Sequence, residues 1–277
     1  MIIGITGGKG GTGKSTVATA LAVELGKKNK VLLVDMDVDC PNDHLIINIK
    51  RKELKNVYQR VPKWDYDKCT KCGLCGTVCK TNAIISIKNK NPIFISPQCN
   101  GCGSCVIKCP VKAISWDKKE IGKIYSGDNY GIDFLSGELK INEPVSEFIV
   151  NKLNEILESK KEKYDYIIID TAAGTHCDVI AALEVCDFIF VITEPTPLGE
   201  HDGELIIKLV ETMKKPYEII LNRYEGDYSL LKPLLDTYGK TKFFKIPYNK
   251  KIFENYSKGI PIEDESIKKI IEEILKW

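Results

Sequence analysis

"GGKGGTGKST", Gly7 to Thr16, is the stretch whose reading decides the fold. Just before it, "IIGIT" (Ile2 to Thr6) is a short run of apolar residues suited to a buried strand. Just after it, Lys14 to Lys28 reads as a helix. Within the loop, "GKGGTGKS" (Gly8 to Ser15) satisfies G-x4-G-K-[ST]. Gly8, Gly10, Gly11 and Gly13 let backbone N–H groups converge on a phosphate, with Thr12 between them and Thr16 following. Lys14 reaches the β- and γ-oxygens, and Ser15 offers its hydroxyl to Mg²⁺. The bare pattern occurs by chance, but its place between a strand and a helix removes most of that risk. The expected ligands are ATP or ADP and Mg²⁺.

Outward from the loop, strand-like and helix-like stretches alternate. "KVLLVDMD" (Lys30 to Asp37) is a second strand, and Pro144 to Lys160 is helical. "YDYIIID" (Tyr164 to Asp170), "DFIFVIT" (Asp187 to Thr193), "YEIILN" (Tyr217 to Asn222) and "TKFFKIP" (Thr241 to Pro247) follow as strand candidates. This order, with near-continuous apolar strands, predicts an α/β fold: a mostly parallel sheet covered by helices on both faces. Formal charge is +2, which gives no argument for nucleic acid or an anionic membrane. No apolar run is long enough to span a bilayer. Nothing near Met1 resembles a secretory signal, so the expected setting is soluble and cytoplasmic.

Residues 62–118 break the rhythm and divide the chain into 1–61, 62–118 and 119–277. "DKCTKCGLCGTVCKTNAI" (Asp67 to Ile84) is repeated as "PQCNGCGSCVIKCPVKAI" (Pro97 to Ile114). Each copy carries four cysteines separated by two, two and three residues, and these eight leave only Cys40, Cys177 and Cys186 outside, out of eleven. An odd count argues against a simple disulfide framework. The spacing resembles that of a bacterial ferredoxin with two [4Fe–4S] clusters. By that resemblance one cluster takes Cys69, Cys72, Cys75 and Cys109, and the other takes Cys99, Cys102, Cys105 and Cys79. Structural zinc, the alternative, more often uses two separated C-x2-C pairs. A hairpin-like stretch from Glu120 to Leu139 leads back to the larger unit.

Lys9, second in "GKGGTGKST", matches the extra lysine of the deviant-Walker ATPases, which include MinD, ParA, the nitrogenase iron protein and Mrp-type iron–sulfur carriers. The resemblance covers both flanks of the cysteine repeats. It implies a homodimer in the ATP-bound state, with Lys9 crossing to the partner's phosphates. It places Asp37 of "LLVDMDVDCPN" (Leu32 to Asn42) at the attacking water or the Mg²⁺ shell. Asp35 and Asp39 read at least as readily as solvated or capping residues. "IIIDTAAGT" (Ile167 to Thr175) supplies Asp170 to a Mg²⁺ water and the N–H of Gly174 to the γ-phosphate. Asn222 of "ILNR" reads the adenine amino group, and Pro247 opens an adenine-side loop, "IPYNKKIFENYSKGIPI" (Ile246 to Ile262). "TEPTPLGEHDGEL" (Thr193 to Leu205) matches a loop with no assigned chemistry.

The whole chain resembles MinD-superfamily ATPases with an inserted ferredoxin domain. The implied function is ATP-gated electron transfer through the clusters to a redox partner. The alternative is an assembly or carrier ATPase with a cofactor-accepting partner, and a MinD- or ParA-like positioning ATPase comes third. An additional cluster bridging two subunits would need both Cys177 and Cys40. Cys186 reads as core, and His44, His176 and His201 show no ligand spacing. The C-terminal "IKKIIEEILKW" places Ile267, Ile270, Ile271, Ile274 and Leu275 on one stripe, read as packing on the sheet rather than on a membrane because its polar face mixes Lys and Glu.

Overall fold

The structure, a computed structural model, describes residues 1–239 and 243–276. Thr241, the first residue of one expected strand, and Trp277 lie outside them. In chain order the elements are β1 (Ile2–Thr6), α1 (Lys14–Gly26), β2 (Val31–Asp35), α2 (Asp43–Ile46), β3 (Lys52–Trp64), α3 (Leu74–Thr77), β4 (Ile84–Ile85), β5 (Ile93–Phe94), α4 (Ser104–Lys108), β6 (Ile114–Asn129) and β7 (Ile132–Leu139). Then come α5 (Glu147–Lys160), β8 (Tyr166–Asp170), α6 (Cys177–Glu184), β9 (Phe188–Thr193), α7 (Pro197–Thr212), β10 (Tyr217–Tyr224), α8 (Lys232–Thr237), β11 (Phe244–Pro247), α9 (Lys250–Ser257) and α10 (Glu265–Ile274).

Nine strands form one sheet in the order β11-β10-β9-β1-β8-β2-β7-β6-β3. From β11 to β7 every neighbouring pair is parallel; β6 and β3 then add an antiparallel edge. The parallel strands read as unbroken apolar runs because alternate residues enter two different cores. Ile2, Leu32, Val34, Ile167, Ile169 and Val191 pack beneath α5, α6 and α7. Ile3, Ile5, Leu33, Ile168, Phe190 and Ile192 pack beneath α1 and α10. In α10, Ile267, Ile270, Ile271 and Ile274 are buried, each worth about 1.5–3 kcal/mol on transfer from water. Leu275 follows the helix and is 54% exposed, so the expected stripe stops one residue earlier. Among the described residues no helix is long and apolar enough to cross a membrane.

Sequence patterning missed the ribbon at the sheet edge. β3 and β6 pair antiparallel from Lys52↔Ser126 to Trp64↔Ile114, passing straight through positions 62 and 118. β3 buries Val57, Gln59, Val61 and Pro62 near its end, with exposed Tyr58 and Arg60 between them. Pro62 is compatible with its place on an edge strand, where no outer neighbour needs its N–H. The cysteine repeats occupy the far end of this ribbon. The ribbon is joined back to the parallel sheet through β7, which pairs with β2, and Leu139 N donates to the Val38 carbonyl at 2.8 Å.

Candidate nucleotide and thiolate sites

The phosphate loop lies at the C-terminal end of β1, between β8 and β9, where a parallel sheet leaves a crevice for ligands. Gly11 and Gly13 adopt φ of 81° and 93°, which a side chain resists. A Cβ on Gly13 would also collide with the Asn222 amide. Asn222 Nδ2 donates to the Thr12 carbonyl at 2.7 Å, which ties the loop to β10 and leaves the amide oxygen to accept. Lys14 Nζ donates to the Lys9 carbonyl at 3.1 Å. Burial lowers the Lys14 ammonium from its ordinary value, opposed by nearby Asp170 and Asp37.

A cavity of about 440 Å³ opens from the loop. Gly10, Gly11, Gly13, Lys14, Ser15, Thr16, Asp37, Asn222 and Pro247 line it, as expected of a nucleotide site. Tyr248, Phe253 and Tyr256, which the sequence reading did not single out, add aromatic walls at the same end as Pro247. Gly8, Lys9, Thr12, Asp170 and Gly174 do not line it. Asp170 stands behind it, accepting from Ser15 Oγ at 2.6 Å, and Gly174 N donates to the Gly7 carbonyl at 3.2 Å. Lys9 turns away and pairs with Glu194, a carboxylate only 8% exposed, which also takes Arg223 at 3.3 Å.

Behind the loop, Asp35, Asp43 and Asp170 each bring an oxygen within 4.8 Å of the others. Asp35 is buried rather than solvated, and its carboxylate accepts from the N–H groups of Asp37, Asn42 and Asp43. Both oxygens of Asp43 and Oδ1 of Asp170 are buried and unpartnered. Burial, and then the neighbouring carboxylates, raise Asp35 and Asp43 well above the usual range; burial likewise lifts Asp170 to about 7. A carboxyl raised in the fold stabilises fully only below its unfolded pKa, and that contribution is lost as pH rises through the folded value. Near neutral pH the cluster therefore opposes folding unless a cation offsets it. Asp43→Asn should stabilise the metal-free protein by about 2 kcal/mol, because the amide donates to a neighbouring carboxylate and carries no charge. The melting temperature measured in chelator should rise by several degrees, more at pH 8 than at pH 5; a fall would show that Asp43 is held by something else. Asp43 was invisible in sequence because nothing local marks an acid at the start of a short helix as buried.

Cys69, Cys72, Cys75 and Cys109 line one small pocket. Cys79 packs with Cys99 beside Val61 and Ala83, and together with Cys75 and Cys109 it also packs against Ile84, Cys105 and Ile114. Burial pushes the Cys99 thiol up, with Cys102 and Cys79 adding to the shift, and it pushes Cys105 up to about 11, with Cys99 and Cys102 adding. The halves share one backbone pattern: positive φ at Lys71, Gly73 and Asn82 recurs at Gly101, Gly103 and Lys112. N–H groups already point at sulfur, Gly101 N to Cys99 at 3.4 Å and Ala113 N to Cys109 at 3.2 Å. All eleven cysteines are free of disulfides. Cys40 and Cys177 are exposed, and Cys186 is buried, as its reading as core requires.

A profile of the CobQ/CobB/MinD/ParA nucleotide binding domain matches residues 3–262. An uncharacterized protein of Methanocaldococcus jannaschii is 37% identical, over 100% of this chain and 97% of its own length. Among solved structures, the fold is similar to the cell division ATPase MinD of Pyrococcus furiosus, with TM-score 0.60 at 22% identity, covering 99% of this chain and 98% of that one. It is also similar to the septum site-determining protein MinD of Pyrococcus horikoshii complexed with Mg-ADP, with TM-score 0.57 at 22% identity, covering 94% and 86%.

Proposed function

This chain belongs to the CobQ/CobB/MinD/ParA nucleotide-binding family, and on that premise we propose that it is an ATP-hydrolysing iron–sulfur protein. In this reading nucleotide state governs electron transfer from two [4Fe–4S] clusters to a partner protein. The observation that supports it best is the ribbon. β2 ends in Asp35, two residues before Asp37, and pairs with β7; β7 pairs with β6, and β6 with β3, whose far end carries both cysteine sets. Arg51, beside the start of β3, binds Glu138 at 2.9 Å and reaches Ser136 at 3.4 Å. A shift of the Asp37 loop is thus passed through backbone pairing rather than through a flexible linker.

The residues present fit Mg-ATP. The loop amides and Lys14 take the β- and γ-phosphates, and the Asn222 carbonyl suits the adenine amino group. Ser15, Asp37 and Asp170 would hold Mg²⁺, which neutralises phosphate charge; the orphaned oxygens of the buried carboxylates are what such a cation relieves. Asp37 orients the attacking water. The similarity to the MinD of P. horikoshii, a protein complexed with Mg-ADP, supports this assignment.

They also fit two clusters. Eight cysteines free of disulfides, four of them around one pocket and two with backbone N–H groups aimed at sulfur, suit the demand of two cubanes for four thiolates each. Clusters bound there supply reversible one-electron storage. The chain's part is to bury Cys99 and Cys105 and to set N–H donors beside sulfur. A second reading, delivery of clusters to an acceptor, has no observation comparable to the ribbon in its favour. Iron analysis of anaerobically purified protein tests the assignment: about eight irons per chain support it, and stoichiometric zinc would overturn it.

Dimerisation follows from Lys9. In the single chain it is held by Glu194, so it must exchange that carboxylate for a second copy's phosphates. Glu194→Gln removes the competing charge while keeping a hydrogen-bonding side chain. ATP-dependent dimer association should strengthen roughly fivefold to tenfold, the worth of a partly exposed ion pair. Light scattering with a non-hydrolysable ATP analogue measures it, and unchanged or weaker association would contradict the crossing role.

A further inference from the structure

Each cysteine set meets one side chain from the ribbon near the end of β3. Gln59 serves the second set: it is buried, and its Nε2 donates to the Cys99 carbonyl at 2.9 Å. Trp64 serves the first. It lines the same pocket as Cys69, Cys72, Cys75 and Cys109, packs like Cys75, Cys79 and Cys109 against the cluster of Ile84, Cys105 and Ile114, and its ring lies 5.4 Å from that of Phe94. Its indole Nε1 is buried and has no hydrogen-bond partner among the described residues. An indole N–H only donates, and leaving it unpaired in an apolar site costs about 1–3 kcal/mol. Four of the residues lining this pocket carry sulfur, and Thr70 and Ser86 add hydroxyls, of which the Ser86 oxygen already lies 3.6 Å from Cys75 Sγ.

We propose that Trp64 donates its indole N–H to sulfur of the group held by Cys69, Cys72, Cys75 and Cys109, and thereby raises that group's reduction potential. The inference rests on the reading of the cysteine sets as [4Fe–4S] sites. The physical cause is charge. One-electron reduction adds a negative charge to the cluster, and a donor aimed at its sulfur stabilises the reduced form more than the oxidised one. No proton is transferred and no bond is broken. Trp64 is therefore a positioning and tuning residue, and through β3 it belongs to the sheet that carries the nucleotide.

The test is an EPR-monitored redox titration of the holoprotein and of Trp64→Phe, which keeps an aromatic ring and removes only the donor. One of the two reduction waves should move to lower potential and the other should stay. At fixed ambient potential the reduced-to-oxidised ratio at the affected cluster should fall about tenfold, equivalent to about 59 mV for one electron. Trp116→Phe, at a ring 41% exposed on the same module, should move neither wave. Two unmoved waves in Trp64→Phe with full iron content would overturn the proposal alone. Protein that binds no iron would overturn the cluster reading and this proposal together. A measurement on the unaltered chain covers a variant that fails to load: with indole-¹⁵N tryptophan, pulsed EPR of the reduced holoprotein should show hyperfine coupling to nitrogen. Absence of that coupling would overturn the contact.

Discussion

Lys14→Ala should lower ATP affinity by two to four orders of magnitude while leaving the iron content unchanged. Lys14 lines the cavity beside Gly11, Gly13 and Ser15 of the phosphate loop, and hydrogen bonds to charged groups contribute about 1.5–3 kcal/mol each. Losing contacts to two phosphates gives about 3–6 kcal/mol, which is that range of affinity. Removing the ammonium also leaves Asp170 and Asp37 without the charge that opposes their repulsion of phosphate. The cysteine pocket shares no residue with this cavity, so its chromophore should persist. Calorimetric titration with ATP measures the first effect and iron analysis the second. ATP binding within tenfold of the parent would contradict the assignment of the loop.

Cys79→Ala should remove about half of the iron, roughly four atoms per chain, and leave one reduced-cluster signal in place of two. Cys79 lies in the first repeat by sequence, but it packs beside Cys99 of the second. The surviving cluster should be the one held by Cys69, Cys72, Cys75 and Cys109. Cys109→Ala should do the converse, although Cys109 belongs to the second repeat. Because metal binding and folding of such a module are coupled, each variant should also lower the protection of its own half against proteolysis. If Cys79→Ala instead spared the cluster of Cys99, Cys102 and Cys105, the crossed pairing would be wrong.

The parallel sheet was legible because its strands are buried on both faces, and unbroken apolar runs such as "YIIID" announce that without help from the rest of the chain. The phosphate loop was legible for a related reason: its glycines and its lysine act through backbone geometry that is local in sequence. The duplicated cysteine runs were legible from their spacing, whereas the exchange of Cys79 and Cys109 between the runs came only with the resemblance to two-cluster ferredoxins. The pairing of β3 with β6 did not show, since β3 is an edge strand whose start, from Lys52 to Lys55, is exposed and whose few buried positions come only near its end, a pattern shared with exposed loops. Glu194 and Asp43 could not be recognised either. Their significance comes from Lys9 and Asp170, which the fold delivers from distant parts of the chain. Trp64 joins them: its orphaned indole N–H has meaning only once the cysteine pocket closes around it.

The central claim is that nucleotide at the Lys14 cavity changes the state of metal bound by the cysteine sets. Its most direct test is a redox titration of both clusters in the holoprotein, without nucleotide, with ADP, and with a non-hydrolysable ATP analogue, using Lys14→Ala as the uncoupled control. The account predicts that the ATP analogue shifts at least one potential, that ADP shifts it less, and that neither acts in Lys14→Ala. Identical potentials in all three nucleotide states of the parent protein would contradict it.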